Sequence, residues 1–157
     1  MNLELQTWNL KHGEITTMST FQRFEDIEAW RQARVLCAEI YRVSGRGAFA
    51  NDFALRDQIR RSSASIMSNI AEGFERSGSG EFIQYLAIAK GSSGEGRSQL
   101  YIALDQGYLT QEVFVRLSGL AGDTARMVAG LMNYLRKSGI KGAKYKPQSS
   151  EGFKPGT

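Results

Sequence analysis

The sequence of 157 residues has few of the residues on which several classes of protein depend. It has one cysteine, Cys37, so no disulfide can form within the chain, and its place among apolar residues favours a small buried side chain over a reactive thiol. It has one histidine, His12, so a second imidazole for a metal site is lacking. No stretch approaches the roughly 18 apolar residues of a membrane span, and residues 1–20 lack the pattern of a signal peptide. We therefore expect a cytoplasmic protein with no membrane contact, no metal and no cofactor.

Excess charge of one sign is also missing from most of the chain. The formal net charge is +4, yet residues 21–135 hold 13 basic and 13 acidic residues and are neutral. The excess lies in residues 136–157, whose net charge is +5. A neutral body attracts phosphate groups only through local clusters of basic residues.

Apolar residues recur every three or four positions in four long segments, which predicts four amphipathic helices. We expect these helices at about residues 25–43, 52–76, 80–106 and, after an N-cap at Thr110, to about residue 138. Asn51 and Ser79 are the expected N-caps of the second and third helices. Short polar turns place successive helices antiparallel. The predicted fold is therefore all-α, an antiparallel up-down-up-down four-helix bundle over residues 21–138.

The two ends of the chain lack the helical pattern. Residues 1–20 show no sustained period and are expected to form an irregular N-terminal arm. Residues 139–157 are rich in Gly, Lys, Ser and Pro and contain few apolar residues. Such a composition cannot offset the entropy cost of ordering, so we expect a flexible basic C-terminal tail.

The third predicted helix contains a run of small residues, Gly91-Ser92-Ser93-Gly94-Glu95-Gly96. A phosphate-binding loop follows a strand and begins a helix, whereas this run lies inside a helical pattern, so we interpret it as a helix–helix contact. Each glycine costs up to about 1 kcal/mol of helix propensity relative to alanine. The third helix is therefore expected to be the least stable of the four.

The second predicted helix carries a stripe of polar residues at steps of three or four: Arg61, Ser65, Asn69, Glu72 and Arg76. One interpretation is an ordinary solvated face. The other is a hydrogen-bonding stripe that fixes the register of neighbouring helices, within the bundle or between copies of the chain. We favour a structural role of this kind over ligand binding.

Basic residues provide the candidates for nucleic-acid binding. They are Arg60, Arg61, Arg136, Lys137, Lys141, Lys144 and Lys146. Adjacent arginines on a helix point about 100° apart, so Arg60 and Arg61 do not form one patch within a single chain. The lysines near the C-terminus serve solubility equally well.

Catalytic residues are not recognisable in the sequence. General acid–base or nucleophilic chemistry needs a positioned histidine, cysteine, lysine or carboxylate pair, and the carboxylates here are scattered along polar faces. A di-metal bundle would need Glu-x-x-His motifs, which are absent. We expect that the protein is not an enzyme.

Three motifs in order give a resemblance to a known family. They are FEDIEAW at residues 24–30, IRR with SNIAEGF at residues 59–61 and 68–74, and EFIQYLAIAKGS at residues 81–92. Together they resemble the bacterial four-helix-bundle proteins first noticed in ribosomal RNA intervening sequences, over roughly residues 21–136. The family usually has a proline where this chain has Met67, so a straighter second helix is expected here.

The resemblance implies that the protein functions as an oligomer. Relatives form pentamers, and the accessory proteins of diversity-generating retroelements, which are similar in architecture, act as basic pentamers beside a reverse transcriptase. The implied protein is a non-enzymatic homopentameric scaffold that binds RNA, DNA or a nucleic-acid enzyme such as a reverse transcriptase. Five copies of a +4 chain would carry a net charge of +20. The alternative is a purely structural or protein-binding homo-oligomer without nucleic-acid contact.

Overall fold

The computed structural model describes residues 21–76 and 78–138. The arm predicted for residues 1–20 and the tail predicted for residues 139–157 lie outside the described residues. All regular structure in the described ranges is helical, which confirms the predicted all-α fold. A 3-10 helix, Phe24–Asp26, is followed by α1 (Glu28–Ser44), α2 (Gly47–Asn51), α3 (Phe53–Glu75), α4 (Ser79–Asp105) and α5 (Gln111–Ser138).

The four long helices form an antiparallel bundle. Interhelical contacts show the directions: on α3 and α4, Ser62 lies next to Gln99 and Ser65 lies next to Ser92, so residue numbers rise on one helix as they fall on the other. α1 packs against α3 and α5, and α4 packs against the same two helices. α1 and α4 therefore occupy opposite corners of the bundle.

The predicted apolar stripe of α3 forms the centre of the core. Ile59, Ile66, Ile70 and Phe74 are all buried. Full burial of one such side chain contributes roughly 1.5–3 kcal/mol, so the stripe is a main source of stability. A void of about 10 Å³ remains between the helices beside Ser63, Ser93 and Gly96, close to the smallest volume that holds one water.

A short helix that the sequence did not predict joins α1 to α3. In α2, Phe49 is buried, and its ring stacks on Tyr108 with 5.2 Å between centroids. Because α2 takes up Asn51, the predicted N-cap at Asn51 is wrong, and Asp52 caps α3 by accepting a hydrogen bond from the Leu55 N–H at 3.1 Å.

Other helix ends match the sequence more closely. Thr110 caps α5 as predicted, since its hydroxyl oxygen accepts the Val113 N–H at 3.2 Å. Ser79 is the first residue of α4 and not its N-cap, which is Gly78. α3 continues as one α-helix through Met67. None of the described helices has the length and apolar character needed to cross a membrane.

Candidate functional site

Polar side chains line much of the contact between α3 and α4. This polar α3–α4 interface consists of Ser62, Ser65, Asn69 and Glu72 on α3, its C-cap residue Arg76, and Tyr85, Ser92, Glu95 and Gln99 on α4. Its residues are three or four apart on the α3 side and three, four or seven apart on α4, so they follow one line along the bundle.

The middle of the polar α3–α4 interface is largely buried and its groups are paired. The Ser62 hydroxyl lies 2.8 Å from Gln99 Oε1, and Gln99 Nε2 donates to Glu95 Oε1 at 3.3 Å. The hydroxyls of Ser65 and Ser92 lie 2.9 Å apart. A buried polar group left without a partner costs roughly 1–3 kcal/mol, so these pairs favour one axial offset between the helices.

Asn69 belongs to the same line of contacts but bonds within its own helix. Its Nδ2 donates to the Ser65 backbone oxygen at 2.8 Å and to Ser65 Oγ at 2.9 Å. Since Ser65 Oγ also meets Ser92 Oγ, Asn69 extends the pair between helices into a chain of three side chains. This arrangement orients the Ser65 hydroxyl.

The outer end of the interface holds an exposed ionic cluster. Arg76 Nη2 donates to Glu72 Oε1 at 2.8 Å and to the Tyr85 hydroxyl at 3.0 Å, and that hydroxyl donates to Glu72 at 3.1 Å. The hydrogen bond from Arg76, followed by that from Tyr85, lowers the pKa of the Glu72 carboxyl. Contact with Glu72 raises the pKa of Arg76. Both charges are exposed, so the pair contributes little stability.

Gly73 allows α3 and α4 to approach closely. A Cβ atom built on Gly73 would lie 2.6 Å from Tyr85 Cβ and 2.9 Å from Phe82 Cδ2. These distances are shorter than carbon atoms tolerate. The glycine of the SNIAEGF motif is therefore explained by packing.

The structure brings together four of the five residues of the predicted polar stripe. The exception is Arg61, which is exposed. Sequence reasoning missed the partners on α4, because it does not say which face of one helix meets another. The sequence signal for Ser92 and Gln99 is that these polar residues interrupt the apolar pattern of α4. In the structure both are nevertheless buried. Whether the stripe fixes register or assembly stays a prediction.

The basic residues predicted to bind nucleic acid differ in their surroundings. Arg60 connects α3 to the C-terminal end of α1. Its Nε donates a hydrogen bond to Ser44 Oγ at 2.8 Å, and its guanidinium lies over the Tyr41 ring, 4.5 Å from the ring centroid. Its Nη2 also donates to the Tyr41 backbone oxygen at 3.3 Å, where a cation suits the C-terminal end of a helix.

The remaining candidates are on the surface or outside the described residues. Arg61, Arg136 and Lys137 are exposed. Arg136 makes one weak contact, from Nη1 to Asn133 Oδ1 at 3.4 Å. The described structure does not gather these residues into one basic patch. The other three candidates, Lys141, Lys144 and Lys146, lie outside the described residues.

Two of the three glycines in the small-residue run of α4 do not make the helix–helix contact predicted for it, whereas a Cβ added to the third, Gly96, would lie 3.9 Å from Ser62 Cβ on α3. Gly91 and Gly94 are exposed, and a Cβ added to either would meet nothing within 4 Å. The contact is made instead by the buried serines between them, since the Ser93 hydroxyl donates to the Ala121 backbone oxygen at 2.6 Å. The prediction was wrong for Gly91 and Gly94 because a helix turns 100° per residue and places neighbours on different faces.

Groups that support metal binding or nucleophilic catalysis are dispersed. Within residues 21–76 and 78–138 no three His, Cys, Asp or Glu side chains converge as metal ligands. Cys37 is partly buried, with the Ser63 hydroxyl 3.5 Å from its sulfur. The Glu39 carboxylate is held by Arg42 and Arg116, and the hydrogen bond from Arg116 is the main cause of its lowered pKa. The polar and charged side chains described here mainly connect one helix of the bundle to another.

These features define a class: a small all-helical bundle whose polar residues serve contact between helices. A sequence model described as 23S rRNA-intervening sequence protein matches residues 25–130, and the chain belongs to this family.

Comparison with solved structures supports the same fold. A protein of unknown function from the S23 ribosomal protein family of Bacteroides thetaiotaomicron is similar, with a TM-score of 0.61 and 20% identity. The match covers 66% of this chain and 97% of that one. No curated protein matches the sequence.

Proposed function

We propose that the protein is a non-enzymatic homo-oligomeric scaffold that binds nucleic acid or a nucleic-acid enzyme. In its more specific form, the proposal is that the oligomer is a homopentamer. The family description, 23S rRNA-intervening sequence protein, links the family to ribosomal RNA genes. The bundle supports the non-enzymatic part of the proposal, because the polar side chains of residues 21–76 and 78–138 pair across helices and do not converge on a cleft. Catalysis requires groups placed around a reacting atom.

The observation that carries nucleic-acid binding is the basic end of α5. Arg136 and Lys137 are exposed in its last turn, and the sequence beyond adds Lys141, Lys144 and Lys146. The body is neutral, so this end is the main concentration of positive charge. In a homo-oligomer the basic ends of several copies add up, which strengthens sequence-independent phosphate binding.

Binding to a short single-stranded and a short double-stranded RNA at two salt concentrations tests the proposal. The full chain is compared with a variant in which Lys141, Lys144 and Lys146 are replaced by glutamine. We expect salt-sensitive binding whose dependence on salt weakens in the variant, since each lost phosphate contact lowers the log–log slope by roughly 0.7–0.9. The matched control is Arg46→Gln/Lys90→Gln/Arg97→Gln, which removes three exposed basic residues that are not binding candidates.

The outcomes separate the candidate functions. Equal affinity of the lysine variant and the full chain would move the binding site to the helices. No binding to either RNA at low salt would overturn the nucleic-acid part of the proposal. The neutral charge of residues 21–135 would then favour the second candidate, a structural or protein-binding homo-oligomer.

A sharper form of the proposal names the partner as a retroelement reverse transcriptase. It is supported by the resemblance in architecture to accessory proteins of that group. The neutral charge of residues 21–135 speaks against it, since those accessory proteins are basic. A reverse-transcriptase gene beside this one, followed by co-purification of the two proteins, is the expected result. Separate elution of the two purified proteins would contradict this form.

A further inference from the structure

The outward side of α4 is unusually apolar for a surface. Its centre is formed by Ala87, Ile88, Gly91, Gly94, Ser98 and Ile102, here named the α4 outer face. Ile88 is 53% exposed and Ile102 is 45% exposed. Between them Gly91 and Gly94 leave open space. α4 thus carries apolar residues on both its core side and its outward side, a pattern typical of a helix with partners on both sides.

The glycines need an explanation that the single chain does not provide. Glycine weakens a helix, and neither Gly91 nor Gly94 makes room for any described part of the same chain. A flat strip between two large aliphatic residues is the shape that receives another helix at short distance. The strip therefore indicates an approaching helix from outside the chain.

A second exposed apolar strip lies at the opposite corner of the bundle. On α1, Val35 is 50% exposed and Tyr41 is 48% exposed, with the exposed Ala38 between them. Three arginines lie on the same side of this helix. Together these residues form the α1 outer face: Arg31, Arg34, Val35, Ala38, Tyr41 and Arg42.

The charges of the two faces are complementary. Glu81, Glu95 and Asp105 are exposed at the edges of the α4 outer face, where Glu95 also accepts the hydrogen bond from Gln99. None of the three forms a salt bridge with a described residue. The basic residues of α4, Lys90 and Arg97, lie roughly 100° to one side of it. On the α1 outer face, Arg31 and Arg42 pair with Glu28 and Glu39 of the same helix, whereas Arg34 forms no salt bridge with a described residue. Arg34 is therefore the charge that would meet a carboxylate of the other face.

We propose that the α4 outer face of one copy binds the α1 outer face of the next copy. This inference rests on the proposed homo-oligomer and names its contact surfaces. Val35 and the exposed side of the Tyr41 ring, whose other side carries the Arg60 guanidinium, would pack over Gly91 and Gly94. Arg34 would meet a carboxylate at the edge. Because the two faces lie at opposite corners, each copy keeps one face free for a further copy. Such head-to-tail contacts form a ring where the rotation between copies closes and a filament where it does not.

The charges argue against pairing of two α4 outer faces with each other. A two-fold axis through the middle of the face would place Glu95 of one copy near Glu95 of the other. Like charges brought together at an interface are unfavourable. Contact between the two different faces removes this repulsion and supplies Arg34 as an opposite charge.

Two blocked variants of the full chain test the inference. Gly91→Gln/Gly94→Gln adds bulk to the α4 outer face at positions with open space, so the bundle itself is not disturbed. Val35→Glu/Ala38→Glu places acidic side chains on the exposed α1 outer face. The matched control is Gly119→Gln/Gly130→Gln, two exposed glycines of α5 with equally open surroundings.

The measurement is mass by light scattering after size-exclusion chromatography, with circular dichroism to verify folding. We expect each blocked variant alone to fall to the monomer mass of 17.4 kDa and the control to keep the mass of the unchanged chain. A mixture of the two blocked variants should give a species of twice the monomer mass and nothing larger. Each mixed pair has one intact α4 face and one intact α1 face, which is enough for one contact.

Other results overturn different parts of the reasoning. An unchanged chain that is itself monomeric would refute the proposed homo-oligomer. An oligomer that both blocked variants retain would refute the inference alone. A dimer of the α1-blocked variant by itself would show pairing between α4 faces, and a mixture that stays monomeric would show that α1 and α4 do not bind each other.

Discussion

Replacing Gly73 with alanine gives a direct test of how closely α3 and α4 pack. The added methyl group would lie 2.6 Å from Tyr85 Cβ and 2.9 Å from Phe82 Cδ2. Tyr85 Cβ is attached to the backbone, so relief of this overlap requires a shift of α4 itself. Overpacking of this kind costs typically about 1–3 kcal/mol.

The same substitution also has a favourable part. Alanine has a helix propensity about 1 kcal/mol better than glycine in a helix interior. Because the added methyl group overlaps two atoms, we expect a packing cost in the upper part of this range. After the gain in helix propensity is subtracted, Gly73→Ala should lower the free energy of unfolding by about 1–2 kcal/mol.

The matched control is Gly130→Ala on α5. Gly130 is exposed, and an added Cβ meets nothing within 4 Å, so only the propensity gain of up to about 1 kcal/mol remains. One chemical change should therefore have opposite signs at the two positions. Urea unfolding at one protein concentration measures both, because a stability change shifts the midpoint at constant slope. A Gly73→Ala protein as stable as Gly130→Ala would refute the close packing of α3 and α4.

Two further predictions concern the ends and the outside of the bundle. Asp52→Ala removes both the α3 N-cap and the hydrogen bond that Asp52 Oδ2 accepts from the Tyr108 hydroxyl at 3.0 Å. Loss of the cap alone should lower the free energy of unfolding by about 0.5–2 kcal/mol, which urea titration of Asp52→Ala in a Tyr108→Phe background measures. Asn51→Ala should have little effect in the same titration, and equal losses would contradict the cap assignment. The Arg116 hydrogen bond holds the pKa of Glu39 below its usual 4.5, so its stabilising contribution is complete above about pH 4.5 and is lost as the pH falls through the lower folded-state value. Thermal melts between about pH 5 and pH 3 should show a shallower loss of stability for Glu39→Gln than for the unchanged chain, and identical slopes would exclude this linkage.

Much of the fold could be predicted from the sequence because its apolar period is strong. The spacing of Ile59, Ile66, Ile70 and Phe74 placed α3 and its buried side correctly. A short element such as α2 has too few residues for a period, and its formation depends on burial of Phe49 against Tyr108 from a distant part of the chain. Because α2 forms and includes Asn51, the N-cap of α3 is Asp52, the residue after the predicted one.

The candidate site was harder to predict than the fold. The polar stripe on α3 was visible, but its partners Ser92 and Gln99 depend on which face of α4 turns towards α3. Arg60 was treated as a free basic residue, although it is fixed to Ser44 and Tyr41, and contacts 16 and 19 residues away in sequence leave no local pattern. The helix–helix contact predicted at Gly91 and Gly94 is wrong for a related reason, because a small residue is compatible with both a close contact between helices and an open surface.

The hydroxyl and amide pairs that join α3 to α4 also restrict how the bundle can move. An aliphatic contact allows one helix to slide by a full turn, about 5.4 Å, and find similar neighbours. Here the same slide would separate Ser62 from Gln99 and Ser65 from Ser92 together, so two hydrogen bonds between the helices would be lost at once. In a rearrangement induced by a bound partner, α3 and α4 should therefore travel as one rigid hairpin, with α1 and α5 adjusting around it.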